Sequence, residues 1–233
     1  MGGPAGLNAE PADAASHPRQ HRRPRRFRED GYHIEPLAQR HIRLVVPVLA
    51  ETFPDSLLVA LGPAFLEELL DSYVSLPGGC GYVCSHGEGV AGFVVGTEDS
   101  GRHRRTLLRR RWASILLRVL QGLVLSPWRA WPLARYLRFY LPLLHPANAS
   151  DRAVEDTAPV PPASLVLLGV STAHRRRGIA RRLTRAFLEE MARRGVNAAK
   201  LAVAADNEAA LAFYLSEGWR AAGRHRTPDG KTA

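Results

Sequence analysis

A chain of 233 residues with 45% hydrophobic content is long enough to bury one substantial core and too apolar to be disordered throughout. The formal net charge of +10 comes almost wholly from arginine, since Lys200 and Lys231 are the only lysines. That charge is gathered in the N-terminal tail, between Arg102 and Arg111 and around Gly178, which does not favour a dedicated nucleic-acid-binding protein.

Residues 1–28 are rich in Gly, Ala, Pro, Arg and His without an apolar period, and read as a disordered basic tail. The first residues lack the continuous apolar core of a signal peptide, so a cytoplasmic protein is expected. The folded domain is expected over 29–233. It opens with a short strand, Tyr32 to Pro36, and a helix carrying Ile42, Val45, Val46 and Leu49 on one side. Phe53-Pro54 breaks that helix, and Gly62-Pro63 starts another with Phe65, Leu66, Leu69 and Leu70 on its stripe. Gly81–Ser85 and Val90–Thr97 then read as two antiparallel strands joined through His86-Gly87-Glu88-Gly89. Cys80 and Cys84, the only cysteines, have no second pair of metal ligands nearby. They are expected to be reduced and structural, and no metal is expected.

From about 101 to 162 the pattern changes. "RRTLLRRRWASILLRVLQGLVL" spaces Leu108, Trp112, Ile115, Val119 and Leu123 three or four apart among arginines, and a second basic, aromatic-bearing segment follows. Arg118 and Gln121 interrupt the apolar run, which argues against a spanning helix of about twenty apolar residues. Three readings remain for this helical insertion: a cover over a cleft or a dimer contact, which is favoured; peripheral membrane contact through 104–144; and nucleic-acid binding, which is not favoured.

Ser164 to Val170, "SLVLLGV", is a buried strand by its continuous apolar run. Ile179, Leu183, Phe187 and Met191 recur every four residues in the helix after it, which Gly195 stops. "AAKLAVAA" reads as another buried strand and "NEAALAFYLSEGW" as a last helix. This order implies a parallel strand pair with a helical crossover.

Between strand and helix lies "HRRRGIARRL". A glycine turn at a helix start leaves backbone N–H groups without partners, and the helix dipole makes that end positive. Gly178 lets a ligand approach the backbone, Ala180 keeps the turn open, and the arginines add charge for a phosphate-bearing ligand. Neither the dinucleotide fingerprint nor the P-loop pattern is present.

"VSTAHRRRGIARRL" resembles the pyrophosphate-binding motif R/Q-x-x-G-x-G/A of the GCN5-related N-acetyltransferases, filled by Arg175, Gly178 and Ala180. "ADNEAALAFYLSEGW" is similar to the family's N-x-x-A-x-x-F-Y-x-x-x-G-F/W, filled by Asn207, Ala210, Phe213, Tyr214, Gly218 and Trp219. The resemblance covers about Leu165 to Arg220 closely. It implies an α/β fold with a mixed, twisted sheet and helices on both faces, into which this chain places a helical insertion between the third and fourth strands.

The resemblance further implies an N-acetyltransferase that moves acetyl from acetyl-CoA to a primary amine of a small molecule or protein. The pyrophosphate would sit on the turn of Arg175, Arg176, Arg177, Gly178, Ile179 and Ala180. The pantetheine arm would pair with backbone groups of Leu168 and Val170, and Asn207 would cap the last helix and touch the cofactor. Tyr214 would protonate the departing thiolate. Glu98 and Asp99 are candidate bases for the amine, although a solvated loop is the simpler reading, and His174 is expected to lie too far from the thioester. The other reading is a non-catalytic acyl-CoA-binding module. The sequence departs from the family in its insertion of about sixty residues and in stopping at "RTPDGKTA", where the family adds a final strand. The sheet would then be short at that edge or completed by a partner chain, as in a homodimer.

Overall fold

The computed structural model describes residues 8–9, 31–54, 56–107, 109 and 162–222. Its sheet has the order β1-β6-β5-β4-β3-β2. The strands are β1 (Asn8–Ala9), β2 (Tyr32–Pro36), β3 (Gly79–His86), β4 (Gly89–Thr97), β5 (Ala163–Val170) and β6 (Ala199–Lys200). The helices are α1 (Gln39–Thr52), α2 (Leu57–Ala60), α3 (Pro63–Ser75), α4 (100–107), α5 (Ile179–Arg193) and α6 (Glu208–Ser216).

β2 through β5 are antiparallel neighbours, while β5 and β6 run parallel. The parallel pair is the one joined through α5, as a crossover requires. β4 lies in the middle of the sheet and is buried from Val90 to Thr97, which explains its unbroken apolar sequence. Ala91 and Val94 face a core built on Ile179, Leu183, Phe187 and Met191 of α5. Val90, Phe93 and Val95 face a second core on the opposite side, with Val45 and Leu49 of α1 and Leu66 and Leu70 of α3. The apolar stripes of α1, α3 and α5 therefore face these cores, with Val46, Phe65 and Leu69 only partly buried.

Two local features set how closely these layers meet. Pro63 occupies the first turn of α3, where its missing N–H costs nothing. Gly96 lies so close to α5 that a Cβ there would stand 2.6 Å from Phe187 Cε2. Only glycine lets the helix settle on the sheet at that point.

Two elements differ from the sequence reading. Of "AAKLAVAA", only Ala199–Lys200 pairs as strand; Leu201 and Val203 are buried without a strand partner. Within the tail, Asn8–Ala9 pair antiparallel with Lys200 and Ala199. The chain's own N-terminal segment thus lies along the outer edge of β6 over those two residues. An edge strand exposes unpaired N–H and C=O groups, so an extended segment within reach adds to it. The other tail calls, and Leu108, Trp112, Ile115, Val119 and Leu123 of the insertion, lie outside the described residues.

The start of the insertion is described. His103 of α4 is buried, stacks on Tyr73 of α3 at 4.8 Å and has Nε2 3.3 Å from Ser72 Oγ. The Ser72 hydroxyl donates to the Leu69 carbonyl at 2.6 Å, so its oxygen is left to accept from Nε2–H. His103 Nδ1 then has no partner among the described residues, and burial holds the imidazole below its usual range.

That arrangement makes stability depend on pH. Below the ordinary imidazole value of 6.5 the unfolded chain takes up a proton that folded His103 refuses, so stability falls as pH falls. We expect the melting temperature to drop between about pH 7 and about pH 5, and His103→Gln to flatten the slope. An unchanged slope in the variant would show that His103 is not the group responsible.

Candidate active site

β5 and β6 pair only through Ala163↔Ala199 and Ser164↔Lys200. β5 then continues for six residues, Leu165–Val170, beside a chain that has left the sheet. That edge of β5 is left without a strand partner where the parallel strands part. Val166, 44% exposed, stands at its start.

Val166 is also a bulge. Val95 of β4 opposes Leu167 and Gly96 opposes Leu165, leaving Val166 with no opposite residue. An extra residue reverses which backbone groups face which neighbour. Before the bulge, the Ala163 N–H points to β6 and bonds Ala198 O at 2.8 Å. After it, the Ser171 N–H points to β4 and bonds Ala91 O at 3.0 Å. By alternation, Gly169 also faces β4, and Leu168 and Val170 turn their N–H and C=O groups to the open edge. Nothing in the apolar run "SLVLLGV" signals this bulge; only the register shows it.

At the end of β5 a 3₁₀ turn, Thr172–His174, leads into the arginine run. Arg176 has φ 60° and Gly178 has φ 74°. Gly178 is the N-cap of α5, and the first bond of the helix is from Arg182 N to Gly178 O, 3.2 Å. The N–H groups of Ile179, Ala180 and Arg181 therefore lack helical acceptors. Left-handed residues next to a helix start produce a concave set of N–H donors suited to an anion. A Cβ on Gly178 would meet nothing within 4 Å, so the space above the turn is open.

The arginines are not equivalent. Arg175 Nε bonds the Val170 carbonyl at 3.2 Å, on the open-edge side. The Arg177 guanidinium lies 5.8 Å from the centre of the Tyr32 ring. Arg181 pairs with Glu217 at 2.6 Å and ties the first turn of α5 to the end of α6. Arg176 is exposed. The turn itself is fixed from both faces of the sheet. Thr172 donates its N–H (2.7 Å) and its hydroxyl to Glu51 of α1, and these bonds hold the Glu51 carboxyl below its usual range. His174 Nδ1 lies 2.8 Å from the Tyr32 hydroxyl. Sequence reasoning found neither Glu51 nor Tyr32, because each lies more than a hundred residues from its partner.

Asn207 caps α6, its Oδ1 accepting from Ala210 N at 3.1 Å. Tyr214 of α6 is buried, edge-on to Trp219 at 5.6 Å, and burial pushes its phenol well above the ordinary value. The candidate bases are both engaged elsewhere. Glu98 is paired with Arg194 at 2.8 Å, beyond the C-terminal end of α5, and Asp99 Oδ1 accepts from Arg102 N at 2.9 Å at the start of α4.

Residues 151–219 match the model of the acetyltransferase (GNAT) family. No curated protein matches the sequence. Among solved structures, aminoglycoside N-acetyltransferase AAC(6')-Iy in complex with CoA is similar at 10% identity, with 81% of this chain and 88% of that one covered and a TM-score of 0.51. The PaiA N-acetyltransferase of Thermoplasma acidophilum in complex with coenzyme A is similar at 12% identity, over 86% and 95% of the two chains, with a TM-score of 0.50. The sheet and turn have the fold of these N-acetyltransferases, and residues 151–219 carry the likeness to the acetyltransferase (GNAT) family. The resemblance carried by the two motifs stands, and the mixed sheet with helices on both faces is the fold of that class. No described helix is long and apolar enough to cross a membrane.

The cysteines take no part in the site. Cys80 and Cys84 are free and buried in the α5-side core, and burial pushes both thiols up to about 11. A chromogenic disulfide reagent near neutral pH should find no reactive thiol in the folded protein and both in denaturant. Rapid reaction of the native protein would show that this core opens.

Proposed function

We propose that this protein is an acetyl-CoA-dependent N-acetyltransferase acting on a primary amine of a small molecule or protein. One observation carries the reading: the open edge of β5 at Leu168 and Val170 runs directly into the N–H turn from Arg175 to Ala180. A donor with amides along an arm and a pyrophosphate at its end needs both features in that order. Leu168 and Val170 would bind the arm as an added strand binds, through main-chain hydrogen bonds. Arg175, Arg176 and Arg177 and the N–H groups of Gly178, Ile179 and Ala180 would take the pyrophosphate. Asn207, at the start of α6, would border the cofactor. When bound, acetyl-CoA supplies an acetyl thioester to the amine.

The chain's own chemistry is modest. Tyr214 is the proposed proton donor to the leaving sulfur. A phenol pushed up by burial stays protonated throughout the working pH range, so an O–H is always available. It releases that proton reluctantly, which places its contribution at the lower end of the usual range for general acids. The insertion fits a cover on the acceptor side, because α4 packs on α3 through His103, on the face of the sheet opposite α5.

Calorimetry with coenzyme A tests the reading. The wild type should bind, and Gly178→Glu should not, since it sets a carboxylate where the pyrophosphate lies. Arg175→Ala should weaken binding more modestly, because the backbone donors remain. Equal affinity in wild type and Gly178→Glu would overturn the assignment.

Thiol release from acetyl-CoA against a panel of primary amines tests turnover and finds the acceptor class. Tyr214→Phe should keep binding while turnover falls about a hundredfold. An unchanged rate would make Tyr214 a structural aromatic.

A further inference from the structure

The left-handed backbone of Arg176 is a non-glycine residue at φ 60°, and it sits in the middle of the turn. A long side chain reaches that conformation only at a steric cost, and such strain persists only where the surroundings enforce it. His174 and Arg177, on either side of the Arg175-Arg176 pair, are both held by one side chain. Tyr32, 7% exposed at the start of β2, contacts His174 Nδ1 through its hydroxyl at 2.8 Å. Its ring lies under the Arg177 guanidinium at 5.8 Å. His86, at the end of β3, packs against both members of the pair, with ring centres 4.3 Å from Tyr32 and 5.1 Å from His174. The pairing Tyr32↔His86 places both on adjacent strands at the same end of the sheet as the turn.

We propose that Tyr32 is a positioning residue for donor binding: by gripping His174 and Arg177 it holds Arg176 left-handed and keeps the N–H groups of the turn converged. This rests on the reading that the turn takes the donor's pyrophosphate. Tyr32 itself need not touch the ligand. Its hydroxyl and its ring act separately, the first on His174 and the second on Arg177. Without them the turn relaxes toward ordinary backbone angles, and its donors diverge.

Asparagine visits the left-handed region far more cheaply than arginine. A turn with Asn at 176 therefore needs less restraint, and this gives a test that separates positioning from general stability. Coenzyme A binding is measured by calorimetry for the wild type, Tyr32→Phe, Arg176→Asn and the double variant, with pantetheine, which has no phosphate, as second probe. Tyr32→Phe should raise the coenzyme A Kd about fivefold, the effect of one hydrogen bond, and leave pantetheine binding unchanged. In the Arg176→Asn background the same change should raise Kd less than about twofold. If the wild type binds coenzyme A and Tyr32→Phe binds it equally well, the positioning role is overturned while the donor site stands. An equal loss in both backgrounds, or an equal loss for pantetheine, also overturns it. If folded wild type binds no coenzyme A, the donor site itself is wrong, and the positioning role falls with it. Should Tyr32→Phe fail to fold, His174→Ala removes the other half of the hydrogen bond and carries the same test.

Discussion

The parting of β5 from β6 after two paired residues is the constraint on which the rest of this structure depends. A parallel strand pair normally continues until one strand ends, because each unpaired N–H or C=O in a partly apolar setting is costly. Here the bulge at Val166 turns Leu168 and Val170 outward where their neighbour has gone. Those groups are met by water or by a ligand with complementary amides. The Val170 carbonyl shows the pressure directly, since Arg175 reaches back to bond it. The open edge is thus a consequence of register, and the two cores on either side of the sheet hold the register fixed.

The basic run around Gly178 is less of a charge reservoir than its composition suggests. Arg181 is paired with Glu217, Arg177 lies over an aromatic ring, and Arg175 is bonded to backbone. Exposed ion pairs of this kind contribute little stability. Their effect is geometric: Arg181 sets α6, with Tyr214, against the first turn of α5, and Arg175 ties the turn to the open edge. An anion at this turn, as proposed, would therefore meet backbone N–H groups and the helix dipole first, with guanidinium groups arranged around them.

Much of this was legible in the sequence because it is local. The four-residue recurrence of Ile179, Leu183, Phe187 and Met191 marks the buried stripe of α5, all four of them buried. Pro63 and Gly195 mark helix ends by their own backbone restrictions. Arg175, Gly178 and Ala180 mark the turn. What was not legible depends on pairing between distant segments. A strand of apolar residues looks the same with or without a bulge, and "AAKLAVAA" looks like a full strand because its side chains are buried even where its backbone is unpaired. The engagement of Glu98 by Arg194 is likewise a contact across 96 positions that no local pattern encodes.

The same reasoning changes how the N-terminal half of the chain is understood. β2, α1 and α3 carry no residue of either motif, and could pass for scaffold alone. Yet Tyr32 on β2 and Glu51 at the end of α1 reach the turn from opposite faces of the sheet, one at His174 and one at Thr172. A turn that holds a left-handed arginine cannot be specified by its own six residues, because glycine aside, nothing local favours that conformation. The specification has to come from groups fixed in the two cores, and those cores meet the turn only at its two flanks. The motif supplies the donors, and residues more than a hundred positions earlier decide where they point.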